Sequence, residues 1–182
     1  MDRPLPEAMA DLVTAPLGLE AGFHAPEPEN LSANYASDVQ PPRRMAGPTR
    51  VVNPLRPELS YSFLPERIQS PDAYPSGGGG MAGTADAALA VLEALRAGPF
   101  ISEDLRRQAH RNRISLRHNR RHPMRGPGWG HAWAGAVVTD AAQAGIGLAV
   151  GSLGWGGIYG HSWIVDPSRG RSLIALTNTT TE

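Results

Sequence analysis

Two residue types are missing from this chain, and each absence excludes a kind of chemistry. The 182 residues include no cysteine, which excludes disulfides, thiolate metal sites and thiol redox chemistry. They also include no lysine, because all 17 positions counted as lysine or arginine are arginine. A serine nucleophile paired with a lysine therefore cannot be built from these residues alone.

Long apolar runs are missing as well. No run approaches the roughly 18 residues of a membrane-spanning helix, and the first residues, MDRPLPEAMADL, lack the apolar core of a signal peptide. We therefore expect no membrane partner and a cytoplasmic protein. The 41% of apolar residues is enough for the core of one domain.

The charges are balanced overall but unevenly distributed. The formal net charge is zero, yet acidic side chains outnumber arginines in residues 1–100, and arginines outnumber acidic side chains in residues 101–182. Such asymmetry can mark a nucleic-acid surface. Attraction between two parts of one fold explains it equally well, and we favour this second interpretation.

The first half of the chain predicts a helical segment followed by a long irregular one. Residues 1–24 form the helical segment, with an amphipathic helix over residues 6–17 that ends near Gly18. Residues 25–83 are irregular and rich in proline, with short strands over residues 49–52 and 60–64.

The second half predicts helices and then antiparallel strands, all within one domain that spans residues 1–182. Helices occupy residues 84–112 and begin at two capping residues, Thr84 and Ser102. Apolar and β-branched runs separated by turn residues fill residues 128–178. The predicted strands are 129–139, 146–152, 162–166 and 172–178, and the sequence DPSRGR at 166–171 is typical of a hairpin connection.

A glycine-rich segment, SGGGG at residues 76–80, leads directly into the helix that Thr84 caps. A flexible linker would not continue into a capped amphipathic helix, so we interpret this segment as a loop that lines a pocket. It is not a phosphate-binding loop, because no Gly-Lys-Ser/Thr sequence follows it.

Three segments resemble, in order, the C-terminal part of the serine β-lactamase-like hydrolases. They are residues 75–98, 126–134 and 154–178, and the last contains GWGGIYGHSW. The resemblance is strongest to class C β-lactamases and family VIII carboxylesterases, within a family that includes penicillin-binding proteins. It implies a partial β-lactamase/transpeptidase-like fold of mixed α/β (α+β) class, in which C-terminal antiparallel strands form a sheet with flanking helices.

The resemblance also points to candidate site residues. In this family a strand motif written K-T-G, H-S-G or W-G-G completes the pocket, and Trp155, Gly156 and Gly157 match its W-G-G version. By the same alignment, the backbone N–H of Ile158 is the candidate oxyanion donor. Glycines at this place would let a substrate carbonyl approach the strand closely.

Two residues beside this motif, Tyr159 and His161, could bind substrate. A packed tyrosine and a hydrogen-bonded structural histidine are the commoner roles of such residues, and we favour those. A hydrolase that uses Ser162 with His161 is disfavoured, because adjacent residues of a strand point to opposite faces.

The nucleophile motifs of the family are absent. No serine is followed three positions later by lysine, and no tyrosine is followed two positions later by asparagine. The resemblance implies that both motifs lie upstream of Met1, so we expect a truncated fragment that is inactive alone. With the upstream half present, the substrate would be a small ester or lactam. The W-G-G version favours esters, because lactamases of this fold usually carry lysine there.

Neither a cofactor nor a metal is expected. His118 and His122 are spaced as zinc ligands on a helix are, but HNRRH lacks the glutamate of the zinc motif H-E-x-x-H, and no third ligand is evident. The arginine-rich residues 105–125 suggest an alternative function, a non-catalytic module that binds an acidic partner or nucleic acid. We disfavour nucleic acid, because this segment has no Phe, Tyr or Trp on which bases could stack.

Overall fold

The structure, a computed structural model, describes residues 3–25, 27–52, 58, 60–114 and 126–180. The chain divides into two units. The first contains Met1–Ala87, Gly157–His161 and Leu176–Glu182, and the second contains Ala88–Gly156 and Ser162–Ala175.

The first unit begins with a continuous helical stretch. Helix α1 (Leu5–Met9) continues through a π-helical turn (Ala10–Thr14) into α2 (Ala15–Leu17), and the stretch ends at Gly18 in the left-handed conformation, with φ +62°. Glycine adopts this conformation without strain from a Cβ atom, which explains why the helix ends there. The predicted helix over residues 6–17 is confirmed.

Three short antiparallel strand pairs are also found among the described residues of the first unit. The pairs are β1 (Ala21–Gly22) with β6 (Ala82–Gly83), β2 (Tyr35–Ala36) with β3 (Arg43–Arg44), and β4 (Thr49–Val52) with β5 (Ser60–Phe63). The last pair confirms the two strands predicted at these positions. A core cluster of this unit contains Ala36, Met45, Val51 and Phe63.

Both predicted helix caps are present. The Thr84 hydroxyl accepts a hydrogen bond from the Ala87 amide (3.1 Å) at the start of α3 (Ala85–Arg96). The Ser102 hydroxyl accepts one from the Leu105 amide (3.2 Å) at the start of α4 (Glu103–Ala109). These bonds satisfy amides that have no partner within the helix.

A five-stranded antiparallel sheet forms the centre of the second unit. Its strands are β7 (Trp129–His131), β8 (Ala136–Val138), β9 (Leu153–Gly156), β10 (Ser162–Asp166) and β11 (Arg171–Ala175). Each strand pairs with the next along the chain, in the order β11-β10-β9-β8-β7. One core cluster contains Leu92 of α3 with Ala132, Val137, Leu153 and Val165, and a second contains Trp129, Ala136 and Val138.

Three of the four predicted strands differ from the observed ones. The run 129–139 is two strands, β7 and β8, separated by a turn that contains Gly135. The run 146–152 is not a strand, because Gly147 and Gly151 have φ values of +69° and +89° that a strand does not adopt. The last strand begins at Arg171 and ends at Ala175 instead of Asn178.

The combination of helices with an antiparallel sheet agrees with the fold class that the sequence predicts. The assignment of residues 1–182 to a single domain with four segments stays a prediction. Among the described residues, no helix is both long enough and apolar enough to cross a bilayer.

Candidate functional site

The W-G-G motif lies at the end of β9 and the start of the following loop. Gly156 is the last residue of β9 and pairs with Ser162 at the start of β10. Within the described residues, β8 pairs with β9 only at Leu153 and Gly154. Gly156 therefore has a strand partner on one side, and its other side is left open by the sheet.

Residues Gly157–His161, which we name the W-G-G loop, form a closed turn. The Gly157 amide donates to the His161 carbonyl (2.8 Å), and the Gly160 amide donates to the Gly157 carbonyl (3.0 Å). Gly160 has a φ of +84°, and a Cβ atom there would lie 2.6 Å from the Thr179 carbonyl oxygen and would overlap the Thr177 hydroxyl. Only glycine fits this position.

Ile158 lies at the outer end of the W-G-G loop. Its side chain is 45% exposed. No hydrogen bond between described residues uses its backbone N–H as donor, although the amides of Gly157 and Gly160 are both used. The loop therefore holds this N–H in a defined conformation while leaving it available to an external acceptor.

Tyr159 anchors the W-G-G loop within the first unit. Its ring contacts that of Phe63, with centroids 5.1 Å apart, and packs on the core cluster of that unit. The Thr177 hydroxyl donates to the Tyr159 carbonyl (3.1 Å). Burial of the phenol, together with the Glu66 carboxylate, raises the pKa of Tyr159, so the ring stays neutral. These contacts favour a positioning role for Tyr159.

The other predicted flanking residue, His161, is exposed and lies over Gly157. A Cβ atom at Gly157 would be 3.4 Å from His161 Cδ2, which is tight contact. The imidazole therefore lies beside one of the two motif glycines. Binding of substrate by Tyr159 or His161 stays a prediction.

Trp155 is held in the second unit by aromatic neighbours. It lies directly opposite Trp163 in the antiparallel pairing of β9 and β10. Its ring meets that of His131 edge to face, with centroids 5.1 Å apart and planes at 81°. His131 was not among the predicted site residues, although it lies within residues 126–134, one of the three segments that carry the resemblance.

The glycine-rich residues 76–80 form a compact turn around Ser76. The Gly80 amide donates to the Ser76 carbonyl (2.8 Å), and the Gly78 amide donates to the Ser76 hydroxyl (3.3 Å). These bonds describe a well-defined turn. Its predicted place in a pocket wall stays a prediction.

The described part of the arginine-rich segment makes contacts within the protein. Arg106 donates to the carbonyls of Gly98 and Ile101, and Arg107 contacts Glu103 and Asp104. Arg113 covers the ring of Trp133, with its guanidinium 4.6 Å from the ring centroid. These contacts give three of the arginines an intramolecular role, whereas residues 115–125 lie outside the described part of the chain.

A metal site receives no support from the described residues. None of their His, Asp and Glu side chains form a group of three or more that could hold an ion. The predicted pair, His118 and His122, lies outside the described residues.

The chain also matches known proteins. Residues 1–182 match the model of the family described as Beta-lactamase. Esterase EstB of Burkholderia gladioli is 42% identical over 182 residues, which cover 99% of this chain and 45% of that protein.

Solved structures also match this chain. EstCE1, described as a hydrolase with promiscuous acyltransferase activity, is 34% identical and superimposes with a TM-score of 0.90 over 99% of this chain and 47% of its own. Simvastatin synthase LovD of Aspergillus terreus shares the fold, with a TM-score of 0.69 at 17% identity, over 96% of this chain and 45% of its own. The chain thus spans less than half the length of each of these relatives.

Proposed function

Because this chain belongs to the beta-lactamase family, whose model it matches throughout, we propose that it forms the pocket wall and the oxyanion side of a serine esterase site. The serine nucleophile and its lysine base would come from residues outside these 182, since the chain contains no lysine. By itself the chain would bind no acyl group covalently and would hydrolyse no ester.

The Ile158 amide is the observation that carries this proposal. In ester hydrolysis, attack on the carbonyl carbon places negative charge on the carbonyl oxygen. A backbone N–H that is already oriented and has no internal acceptor stabilises that charge without reorganising. The hydrogen bonds of Gly157 and Gly160 hold the W-G-G loop in shape around this amide. Gly156 and Gly157, which lack side chains, would let the substrate carbonyl reach it.

A small ester is the substrate class that we favour over a lactam. The motif position at which lactamases of this fold usually carry lysine is occupied here by Trp155, which offers no positive charge to a lactam carboxylate. Support also comes from Esterase EstB, 42% identical, although this chain covers 45% of its length.

The experiment removes the Ile158 N–H without changing the side chain. A chimera in which this chain replaces the segment of Esterase EstB that it matches would receive the α-hydroxy analogue of isoleucine at position 158. We expect kcat for p-nitrophenyl butyrate to fall by about 10²- to 10³-fold, the effect of losing one oxyanion donor, with little change in KM.

The matched control is Ile158→Val in the same chimera, which keeps the amide and removes one methylene. It should retain kcat within about threefold, because the side chain is half exposed. Equal activity of the hydroxy-acid variant and the control would contradict the assignment of Ile158.

A further inference from the structure

His131 lies where it can control the orientation of Trp155. It is the last residue of β7, and its ring makes the edge-to-face contact with the Trp155 ring at 5.1 Å. This arrangement is the one that aromatic pairs prefer, because the positive ring edge meets the negative ring face. The imidazole therefore restricts the rotamers that the Trp155 indole can adopt.

The backbone of His131 is itself fixed from outside the sheet. Because β7 is an edge strand, its outward N–H and C=O groups need other partners. The Asn112 side-chain oxygen accepts from the His131 amide (3.0 Å), and the Arg113 amide donates to the His131 carbonyl (2.7 Å). The loop after α4 thus closes the strand edge at the residue that contacts Trp155.

Asn112 is well suited to hold this position. Its side chain also bonds the Ile114 amide (3.2 Å) and carbonyl (2.9 Å), which fixes its own loop. It lies so close to Gly130 that a Cβ atom there would overlap the Asn112 amide group. A side chain at position 130 would therefore displace Asn112 from His131.

The turn between β7 and β8 also lies close to Trp155. A Cβ atom at Gly135 would lie 3.2 Å from Trp155 Cβ and 3.2 Å from Trp163 Cη2, closer than ordinary packing allows. The turn between β7 and β8 thus already touches both tryptophans, and His131 supplies the contact to the Trp155 ring.

We infer that His131 is a positioning residue, which holds Trp155 in the orientation that sets the acyl-group preference of the ester site. The inference rests on the proposed function, because Trp155 belongs to the motif that would line the substrate. Asn112 acts one step further away, by fixing the backbone of His131.

The test uses the chimera with Esterase EstB, which supplies the nucleophile, with the variants His131→Ala, His131→Phe and Asn112→Ala. His24→Ala is the matched control, since His24 is exposed, contacts the Gln69 carbonyl (3.1 Å) and belongs to the first unit, whereas His131 and Trp155 belong to the second. Two readouts are compared. One is acrylamide quenching of the Trp155 emission, obtained by difference from Trp155→Phe, and the other is kcat and KM for p-nitrophenyl acetate and octanoate.

We expect His131→Ala to expose Trp155 to acrylamide. It should also change the octanoate-to-acetate ratio of kcat/KM by about two- to tenfold, the range for an aromatic pair of this geometry, mainly through KM. His131→Phe, which keeps an aromatic ring, should leave both readouts near the wild-type values. Asn112→Ala should shift both in the same direction as His131→Ala. Asn112→Ala also serves as the second test if His131→Ala does not fold.

Two results would overturn these conclusions separately. If the chimera hydrolyses both esters but neither quenching nor the ratio changes in its His131→Ala and Asn112→Ala variants, His131 does not position Trp155. If the chimera without these substitutions hydrolyses neither ester, the proposed function fails together with the acyl-preference part of this inference, whatever the quenching shows.

Discussion

Among single residues, Gly160 has the tightest surroundings in the W-G-G loop. Its positive φ and its closeness to Thr177 and Thr179 leave no space for a Cβ atom. The turn that presents the Ile158 amide therefore depends on this glycine. Two effects oppose a side chain at position 160, the left-handed backbone conformation and the steric overlap, and they can be measured separately.

Gly160→Ala should lower the free energy of unfolding by about 2–5 kcal/mol, since the left-handed conformation and the overlap both oppose the methyl group. Gly18→Ala is the matched control, because Gly18 has a φ of +62° but nothing within 4 Å of its Cβ position. Gly18→Ala should lower the free energy of unfolding by only about 1–2 kcal/mol. Urea unfolding measures both, and equal losses would mean that the overlap at Gly160 is relieved.

The Glu93 carboxylate makes a contribution to stability that depends on pH. Both oxygens of its carboxylate accept from the Arg96 guanidinium (2.5–3.2 Å), and this contact lowers the pKa of Glu93 from 4.5 to about 2. The group therefore stabilises the fold fully above pH 4.5, and the contribution is lost as the pH falls towards 2.

Glu93→Gln should therefore be less stable than wild type at pH 6, by under about 1 kcal/mol because the side chain is partly solvated. The difference should disappear as the pH approaches 2. Arg96→Met should behave in the same way. Urea midpoints measured across this pH range test the prediction, and a constant difference between wild type and Glu93→Gln would contradict it.

At the scale of elements, helix α3 depends on its cap. The Thr84 hydroxyl satisfies the Ala87 amide at the start of a helix whose Leu92 contributes to the core of the second unit. Thr84→Ala should cost about 0.5–2 kcal/mol, whereas Thr84→Ser, which keeps the hydroxyl, should cost much less. Thermal unfolding compares the two variants. Equal losses would show that the hydroxyl does not cap the helix.

The elements that could be predicted are those whose ends are marked by local chemistry. Thr84 and Ser102 cap helices as the sequence indicates, and Asp166 holds its hairpin by accepting from the Ser168 (3.1 Å) and Arg169 (3.3 Å) amides. Each signal acts over three or fewer residues. For this reason single residue types are enough to reveal it.

The strands that were wrong depend on interactions that residue types do not show. Residues 146–152 have an apolar composition, but the left-handed glycines at 147 and 151 make them a turn. The turn that splits residues 129–139 contains Gly135, where a Cβ atom would lie 3.2 Å from Trp155 Cβ and from Trp163 Cη2. Such a contact between segments distant in sequence cannot be read from local patterns.

The candidate site was predicted to a similar extent. The W-G-G motif predicts Trp155 to Ile158 as site residues, because a short motif keeps its spacing in the sequence, and this assignment stays a prediction. The motif could not reveal the contacts that shape the site, such as Phe63 with Tyr159 or His131 with Trp155. Those residues are far apart in the chain and meet only after folding.

At the scale of the whole molecule, the relatives and this chain differ in extent. The chain matches Esterase EstB over 45% of that protein and EstCE1 over 47%. It also contains no lysine with which a serine could pair in the manner of the family. In the function that we propose, the oxyanion donor lies inside these residues and the nucleophile outside them.

The most direct test is to map the serine that reacts with a fluorophosphonate. The 182-residue chain and the chimera with Esterase EstB would each be treated with the reagent and analysed by peptide mass spectrometry. We predict one adduct in the chimera, on a serine contributed by EstB, and none in the chain alone. An adduct on any serine of this chain would contradict the account, because the nucleophile would then lie within it.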